Sequence, residues 1–284
     1  MVRVAAGLAA GLSCLSLSAA PLQMRNVAHR GLWVEAGMPE NTVEAIKAAY
    51  DAGAQMVETD FWDTDAGDII CLHDIKAMKT MTSDVKDPRK ITAADRARIN
   101  LGEKAKLPRP YRIPLLQDVL AVVPKDRVLQ AEIKGYSPAY AEKFVAAMKA
   151  AGLTPANFVV SSFQFQALKD FRAKHPEFKT LWLGCGVKAS EKWTVAGVVA
   201  KAKEGGFDIV CPGCEAARKA GLKPADADAI RAAGFDFRVY GVNSLESLRY
   251  AASLKATGFT CNTFKAAYGW AKEIGGIELL PHRN

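Results

Sequence analysis

Short apolar runs rich in Val, Ile, Leu and Phe alternate along most of this chain with longer Ala- and Lys-rich stretches, in which apolar side chains recur at helical spacing. The first pattern predicts strands covered on both faces, and the second predicts amphipathic helices lying against them. Strand-like runs fall at 26–28, 56–61, 128–133, 158–162, 180–183, 208–211, 238–242 and 259–262. Helical periods run from an Asn41 or Thr42 cap to Gly53, then over 115–123, 139–151, 165–174, 195–204, 224–233 and 245–257. Gly152, Gly205-Gly206, Gly234 and Gly258 stand just after helices, where a left-handed residue is wanted. Eight β-units alternating with helices predict a parallel sheet closed into a (β/α)₈ TIM barrel. An open doubly wound sheet is the alternative, but no Gly-rich phosphate loop follows the first strand.

Two features depart from the alternation. The cluster Thr64-Asp65-Ala66-Gly67-Asp68 is a turn, and 69–72 reads as a strand returning antiparallel to 56–61. From about 75 to 118 the periodicity loosens, with Pro88, Gly102, Pro108 and Pro110 as punctuation and one short helix near 92–99. We read that stretch as an insertion in a single barrel domain over 21–284.

Residues 1–20 read as an export signal: Arg3, then an uncharged Ala/Leu/Gly-rich run ending in Ser18-Ala19-Ala20 before Pro21. The run is short and rich in Gly and Ser for a membrane-spanning helix. The expected location is periplasmic or secreted; lipid attachment at Cys14 and a cytoplasmic chain started at Met24 are the alternatives. The formal net charge of +8 fits a solvated basic surface, an anionic substrate or proximity to an anionic membrane, and no Lys/Arg run is dense enough for nucleic acid. Among six cysteines, Cys211-Pro-Gly-Cys214 has CxxC spacing, which suits a local disulfide or two inert thiols.

Active sites of such barrels lie at the C-terminal ends of the strands. The polar residues predicted there are His29-Arg30, Glu58 and Asp60, Glu132 and Lys134, Ser161-Ser162 and Asn243, and the hairpin returns His73 towards them. Residues two apart on a strand share a face, so Glu58 and Asp60 project together, as do Glu132 and Lys134. Glu58 and Asp60 alone would also suit an ion-pair face. Together with Glu132 they make three hard oxygen donors, an inventory for one Mg²⁺ or Ca²⁺ rather than zinc. Arg30 and Lys134 beside them suit a phosphate, and two histidines can divide acid and base roles. His175 and His282, outside these strand ends, read as structural or surface residues.

The ordered set His29-Arg30-Gly31, Pro39-Glu40-Asn41-Thr42, Glu58-x-Asp60, Thr64 to Gly67, His73-Asp74, Glu132-x-Lys134, Ser161-Ser162-Phe163 and Val242-Asn243 resembles the glycerophosphodiester phosphodiesterase family. The resemblance spans nearly the whole chain after residue 20. It implies a TIM barrel with an insertion after the second strand, and hydrolysis of deacylated phospholipids to glycerol 3-phosphate and an alcohol. It implies that Glu58, Asp60 and Glu132 hold the metal, that His29 and His73 are the acid–base pair, and that Arg30 and Lys134 bind phosphate. The expected partner is a small glycerophosphodiester. The chain departs from the family pattern at Asp65-Ala66-Gly67, at Tyr240 in place of Trp, and at Cys261-Asn262 in place of Thr-Asp; the last two bear on substrate choice. A sphingomyelinase D-type enzyme acting on intact or lyso-phospholipids is a rival that Arg30-Gly31 and Pro39 to Thr42 speak against. A non-catalytic phosphodiester-binding barrel is the other.

Overall fold

Ten strands and the helices between them are described by a computed structural model covering residues 20–75, 84–187 and 192–280. The strands are β1 (Leu22–His29), β2 (Met56–Asp63), β3 (Ile69–Cys71), β4 (Val128–Gly135), β5 (Phe158–Ser162), β6 (Lys179–Leu183), β7 (Ile209–Cys211), β8 (Asp236–Phe237), β9 (Gly258–Cys261) and β10 (Ile277–Leu279). Parallel pairing runs β1-β2-β4-β5-β6-β7-β8, and β9 pairs with β1 from the other side. A parallel bridge between Val239 and Phe259 joins the β8 segment to β9, so eight strands enclose a barrel. The expected TIM barrel is the fold. β3 lies outside this ring as the antiparallel partner of β2, and β10 pairs with the first residues of β1.

The two-residue period sorts the side chains. Val27, Met56, Val159, Leu181, Leu183, Ile209 and Cys211 form one buried cluster, the barrel interior. Ala28, Val57, Leu129, Ala131, Val160, Trp182 and Val210, the alternate positions, belong to the larger cluster shared with the helices. Each strand therefore buries apolar surface on both faces until its C-terminal end, where inward positions turn polar: His29, Glu58, Asp60, Glu132 and Lys134.

The helix Val43–Asp51 shows how sequence fixes one flank. Thr42 is its N-cap, its hydroxyl accepting from Ala45 N at 3.2 Å, and Ala45, Ile46, Ala49 and Tyr50 face inward. Gly31 sits at φ +87°, and a Cβ there would lie 2.5 Å from the Ala45 carbonyl carbon. Gly31→Ala should therefore combine backbone strain with a clash and cost about 3 kcal/mol. Urea unfolding measures this; a loss under about 1 kcal/mol would show that the loop moves freely.

Within the looser segment, Ile91, Ile99, Leu101, Tyr111 and Ile113 cluster with Ile70 and Leu72, so these residues pack on the outside of the β3 hairpin. Residues 76–83 of that segment fall outside the described residues, as do Cys14, most of the expected signal and His282. The strand expected at 238–242 forms ladder pairs only at Asp236 and Phe237; beyond them Val239 and Tyr240 make isolated bridges, and the chain turns at Gly241, φ +77°. Cys211 and Cys214 are buried free thiols, and burial pushes Cys214 up to about 11. A thiol held that far above neutral pH is a poor redox nucleophile. No helix among the described residues is long and apolar enough to cross a membrane.

Candidate active site

Strand register alone brings the acidic residues together. Asp60 stands opposite Glu132 across the β2–β4 pair, and Glu58 stands opposite His29 across β1–β2. Neighbouring strands lie about 4.8 Å apart, so in-register side chains on one face touch. Carboxylate oxygens of Glu58, Asp60 and Glu132 all lie within 4.8 Å of one another, and the three residues are buried.

Two cations brace this cluster. Lys134 Nζ lies 2.9 Å from Glu132 Oε1 and 3.4 Å from Asp60 Oδ1. Arg30 Nε lies 3.3 Å from Asp60 Oδ2, while its Nη1 donates to Glu40 Oε1 at 2.8 Å. Asn41, in the left-handed region at φ +58°, donates through Nδ2 to Asp60 Oδ2 at 2.8 Å and accepts from Asp60 N at 3.2 Å. The Pro39-to-Thr42 stretch thus carries three separate tasks: Glu40 orients Arg30, Asn41 orients Asp60, and Thr42 starts the helix.

The charges do not balance internally. Burial, then repulsion from Asp60 and Glu132, drives the Glu58 carboxyl well above its usual range. Burial and Asp60 push Glu132 up to about 8 against the pull of Lys134. Asp60 is also raised by burial, but Arg30 and Lys134 outweigh that and hold it low. Glu58 Oε1 is a buried oxygen with no hydrogen-bond donor among the described residues, and Asp60 Oδ1 has only its ion-pair contact to Lys134. Two such oxygens beside a third buried carboxylate, Glu132, fit a hard divalent cation, whose charge would remove the repulsion.

The histidines flank the cluster. His29 Nε2 is 3.6 Å from Glu58 Oε2, and its Nδ1 is 2.5 Å from Asn262 Oδ1. Burial and the Arg30 charge lower its pKa to about 4, so the ring is neutral at pH 7. His73 Nδ1 lies 2.9 Å from Asp74 Oδ2, and its backbone carbonyl accepts from Trp62 Nε1 at 3.0 Å. Burial lowers its pKa as well. Both rings, with Arg30, Glu58, Glu132, Lys134, Phe163 and Tyr240, line a cavity of about 210 Å³ at the barrel mouth. A larger cavity of about 450 Å³, bounded by Phe165, Trp182 and Trp193, has no carboxylate or imidazole among the described residues of its wall.

The remaining expected residues separate into two groups. Ser162 Oγ donates to Ile133 O at 2.8 Å and accepts from Gln164 N at 3.0 Å, a structural task at the end of β5. Asn243 is exposed and accepts from Asn262 N at 2.8 Å rather than lining the cavity. His175 lies outside the site, its ring beside Phe171 and Phe178. Glu40, Asn41 and Phe163 join the site without a role legible in the sequence, and Asn262, expected to bear on substrate choice, meets His29. Asn41 carried the one readable signal, a residue tolerant of the left-handed region just before a helix cap.

A profile of the glycerophosphoryl diester phosphodiesterase family matches residues 29–265, from the last residue of β1 past the end of β9. A glycerophosphodiester phosphodiesterase of Caldanaerobacter subterraneus is 32% identical over 179 residues, covering 60% of this chain and 70% of that protein. Among solved structures, a glycerophosphodiester phosphodiesterase from Parabacteroides distasonis superposes with TM-score 0.70 at 17% identity, over 90% of this chain and 99% of that one. A phosphodiesterase from Oleispira antarctica, solved with the product sn-glycerol-3-phosphate, gives TM-score 0.70 at 18% identity, over 87% and 96%. At those identities the solved structures speak to the fold. The matched span encloses every residue of the cavity wall named above, and on that match this chain belongs to the glycerophosphoryl diester phosphodiesterase family.

Proposed function

We propose that this chain hydrolyses glycerophosphodiesters to glycerol 3-phosphate and an alcohol with the help of one divalent cation. The observation that carries the reading is the meeting of Glu58, Asp60 and Glu132 with Arg30, Lys134, His29 and His73 around one cavity. The Oleispira antarctica relative with its bound product supports the substrate class. Fully ionised, Glu40, Glu58, Asp60 and Glu132 against Arg30 and Lys134 leave two net negative charges, which one divalent cation would neutralise, removing the repulsion that an anionic phosphodiester would otherwise meet.

Glu58, Asp60 and Glu132 would hold the cation, which when bound polarises the phosphoryl group and offsets charge gathering on its oxygens. Arg30 and Lys134 bind and orient the phosphate oxygens, Arg30 in a direction fixed by Glu40. One histidine takes the proton of the attacking hydroxyl, from water or from the substrate's own glycerol, and the other gives a proton to the departing alkoxide. Phe163, Leu183 and Tyr240 give the cavity an apolar side beside its charged one, with Leu183 buried at its floor and Phe163 exposed at its rim.

We also propose, on the export-signal pattern of residues 1–20, that the protein acts outside the cytoplasm, a reading with which the strand pairing is compatible. Ladder pairing of β1 begins at Leu22, so removal of 1–20 leaves it whole, whereas a start at Met24 removes Leu22 and Gln23 from their pairing with β10.

The test is product identification from a panel: glycerophosphodiesters with different alcohols beside lysophospholipids and sphingomyelin. Release of glycerol 3-phosphate from the glycerophosphodiesters is the expected result. Turnover of the lipids alone would replace this reading with the sphingomyelinase D-type reaction. Saturable binding without turnover under Mg²⁺, Ca²⁺ and Mn²⁺ would make the chain a binding protein.

A further inference from the structure

We infer that Asn262 is a positioning residue for His29, holding the imidazole in one tautomer and one orientation, and that Asn243 in turn fixes Asn262. The inference rests on the reading of His29 as a group that moves a proton.

His29 ends β1 with its ring at the barrel mouth and is held from two sides. Its Nδ1 is 2.5 Å from Asn262 Oδ1, and its Nε2 points to Glu58 at 3.6 Å. An amide oxygen only accepts, so Nδ1 must carry the hydrogen, and in a neutral ring Nε2 is then left with its lone pair facing the cavity. Asn262 follows β9 directly, and its own backbone N–H is tied to Asn243 Oδ1 at 2.8 Å. Asn243 is placed by the bond from Val242 N to Thr260 O at 3.0 Å. The run Asn243, Asn262, His29 thus links the segments following β8 and β9 to the end of β1, across the seam where the barrel closes.

A carboxamide differs from a carboxylate in two ways here. It adds no negative charge beside Glu58, Asp60 and Glu132, which already repel one another. It also has a donor end, so a rotation of the amide by half a turn would present N–H to Nδ1 and move the ring hydrogen to Nε2. The distinction between the two tautomers is therefore the physical content of the inference.

The experiment is ¹⁵N-histidine NMR of the full-length, metal-free protein, with His29 assigned by its loss in His29→Gln; the chain has only four histidines, so assignment is direct. In the unsubstituted protein His29 should be protonated on Nδ1, and Asn262→Ala should return it to exchange between tautomers. In turnover, Asn262→Ala should lower kcat about 10²-fold with KM changed less than about 3-fold, while Asn262→Asp, which keeps an acceptor at Nδ1, should recover most of the loss in tautomer order. Asn243→Ala should give a smaller kcat loss in the same direction. Asn262 is only partly buried and lies past the end of β9, so these variants should fold, and an unchanged thermal midpoint confirms it. An Nε2-protonated His29, or Asn262→Ala with native tautomer and native kcat, overturns the inference. Because the NMR signal needs no turnover, its outcome is separable from failure of the proposed activity.

Discussion

Asp60→Asn should reduce turnover of a glycerophosphodiester by at least ~10³-fold, which corresponds to about 4 kcal/mol of lost transition-state stabilisation. Asp60 is the hub of the site: Asn41, Arg30 and Lys134 all meet its two oxygens. The substitution keeps the side chain's shape and removes its charge, so the fold around it has no steric reason to change. It removes one of three donors to a cation and also the partner that aims Arg30 and Lys134 at the cavity. Divalent-ion affinity measured by calorimetry should fall with turnover, since both trace to the same oxygen set. Activity within tenfold of the unsubstituted protein would mean that Asp60 only pairs surrounding cations.

His29→Ala and His73→Ala should each lower kcat by about 10²–10⁴-fold while leaving divalent-ion binding intact. Neither ring is among the three oxygen donors, so an acid–base role predicts a loss of rate without a loss of metal. The double substitution should cost far less than the product of the single ones, because a proton taken at one end and given at the other serves a single reaction. Turnover and calorimetry on the same samples check this. A loss of metal affinity in either single variant would instead make that histidine a ligand.

The barrel was readable because parallel strands bury both faces and so appear as apolar runs, with helices ended by glycines such as Gly152 and Gly234. β10 was not, since Ile277–Leu279 is too short to register and owes its existence to Leu22–Met24 at the far end of the chain. The helix Ala266–Ile274 escaped for a related reason: Gly269 interrupts it, and its N-terminus is held by Glu35, whose carboxylate accepts from Lys265 N at 2.8 Å. Past Phe237 the β8 segment continues as single bridges, Val239 to Phe259 and Tyr240 to Gly213, before turning at Gly241, a left-handed position that an apolar pattern does not register.

Within the site, period-two spacing put Glu58 beside Asp60 and Glu132 beside Lys134, a local property that sequence expresses directly. That Asp60 faces Glu132 is a matter of register between strands separated by the β3 hairpin and the looser segment, which spacing alone does not specify. The supporting residues are further removed. Asn41 reads as a helix cap until its φ of +58° turns the amide towards Asp60, and Asn262 meets His29 only because the barrel closes between β9 and β1. The family resemblance marked Cys261-Asn262 as a departure, and the geometry gives that departure a physical task.

The most direct test of the account is release of glycerol 3-phosphate from glycerophosphodiesters by one preparation taken through three states: as purified, after chelation and dialysis, and after Mg²⁺ or Ca²⁺ is restored. The account predicts that turnover disappears with the cation, returns when it is restored, and does not return in Asp60→Asn. Turnover that persists at full rate after chelation would contradict it, because Glu58, Asp60 and Glu132 would then face the phosphate without the cation that their clustered charge, and the unpartnered oxygens of Glu58 and Asp60, call for.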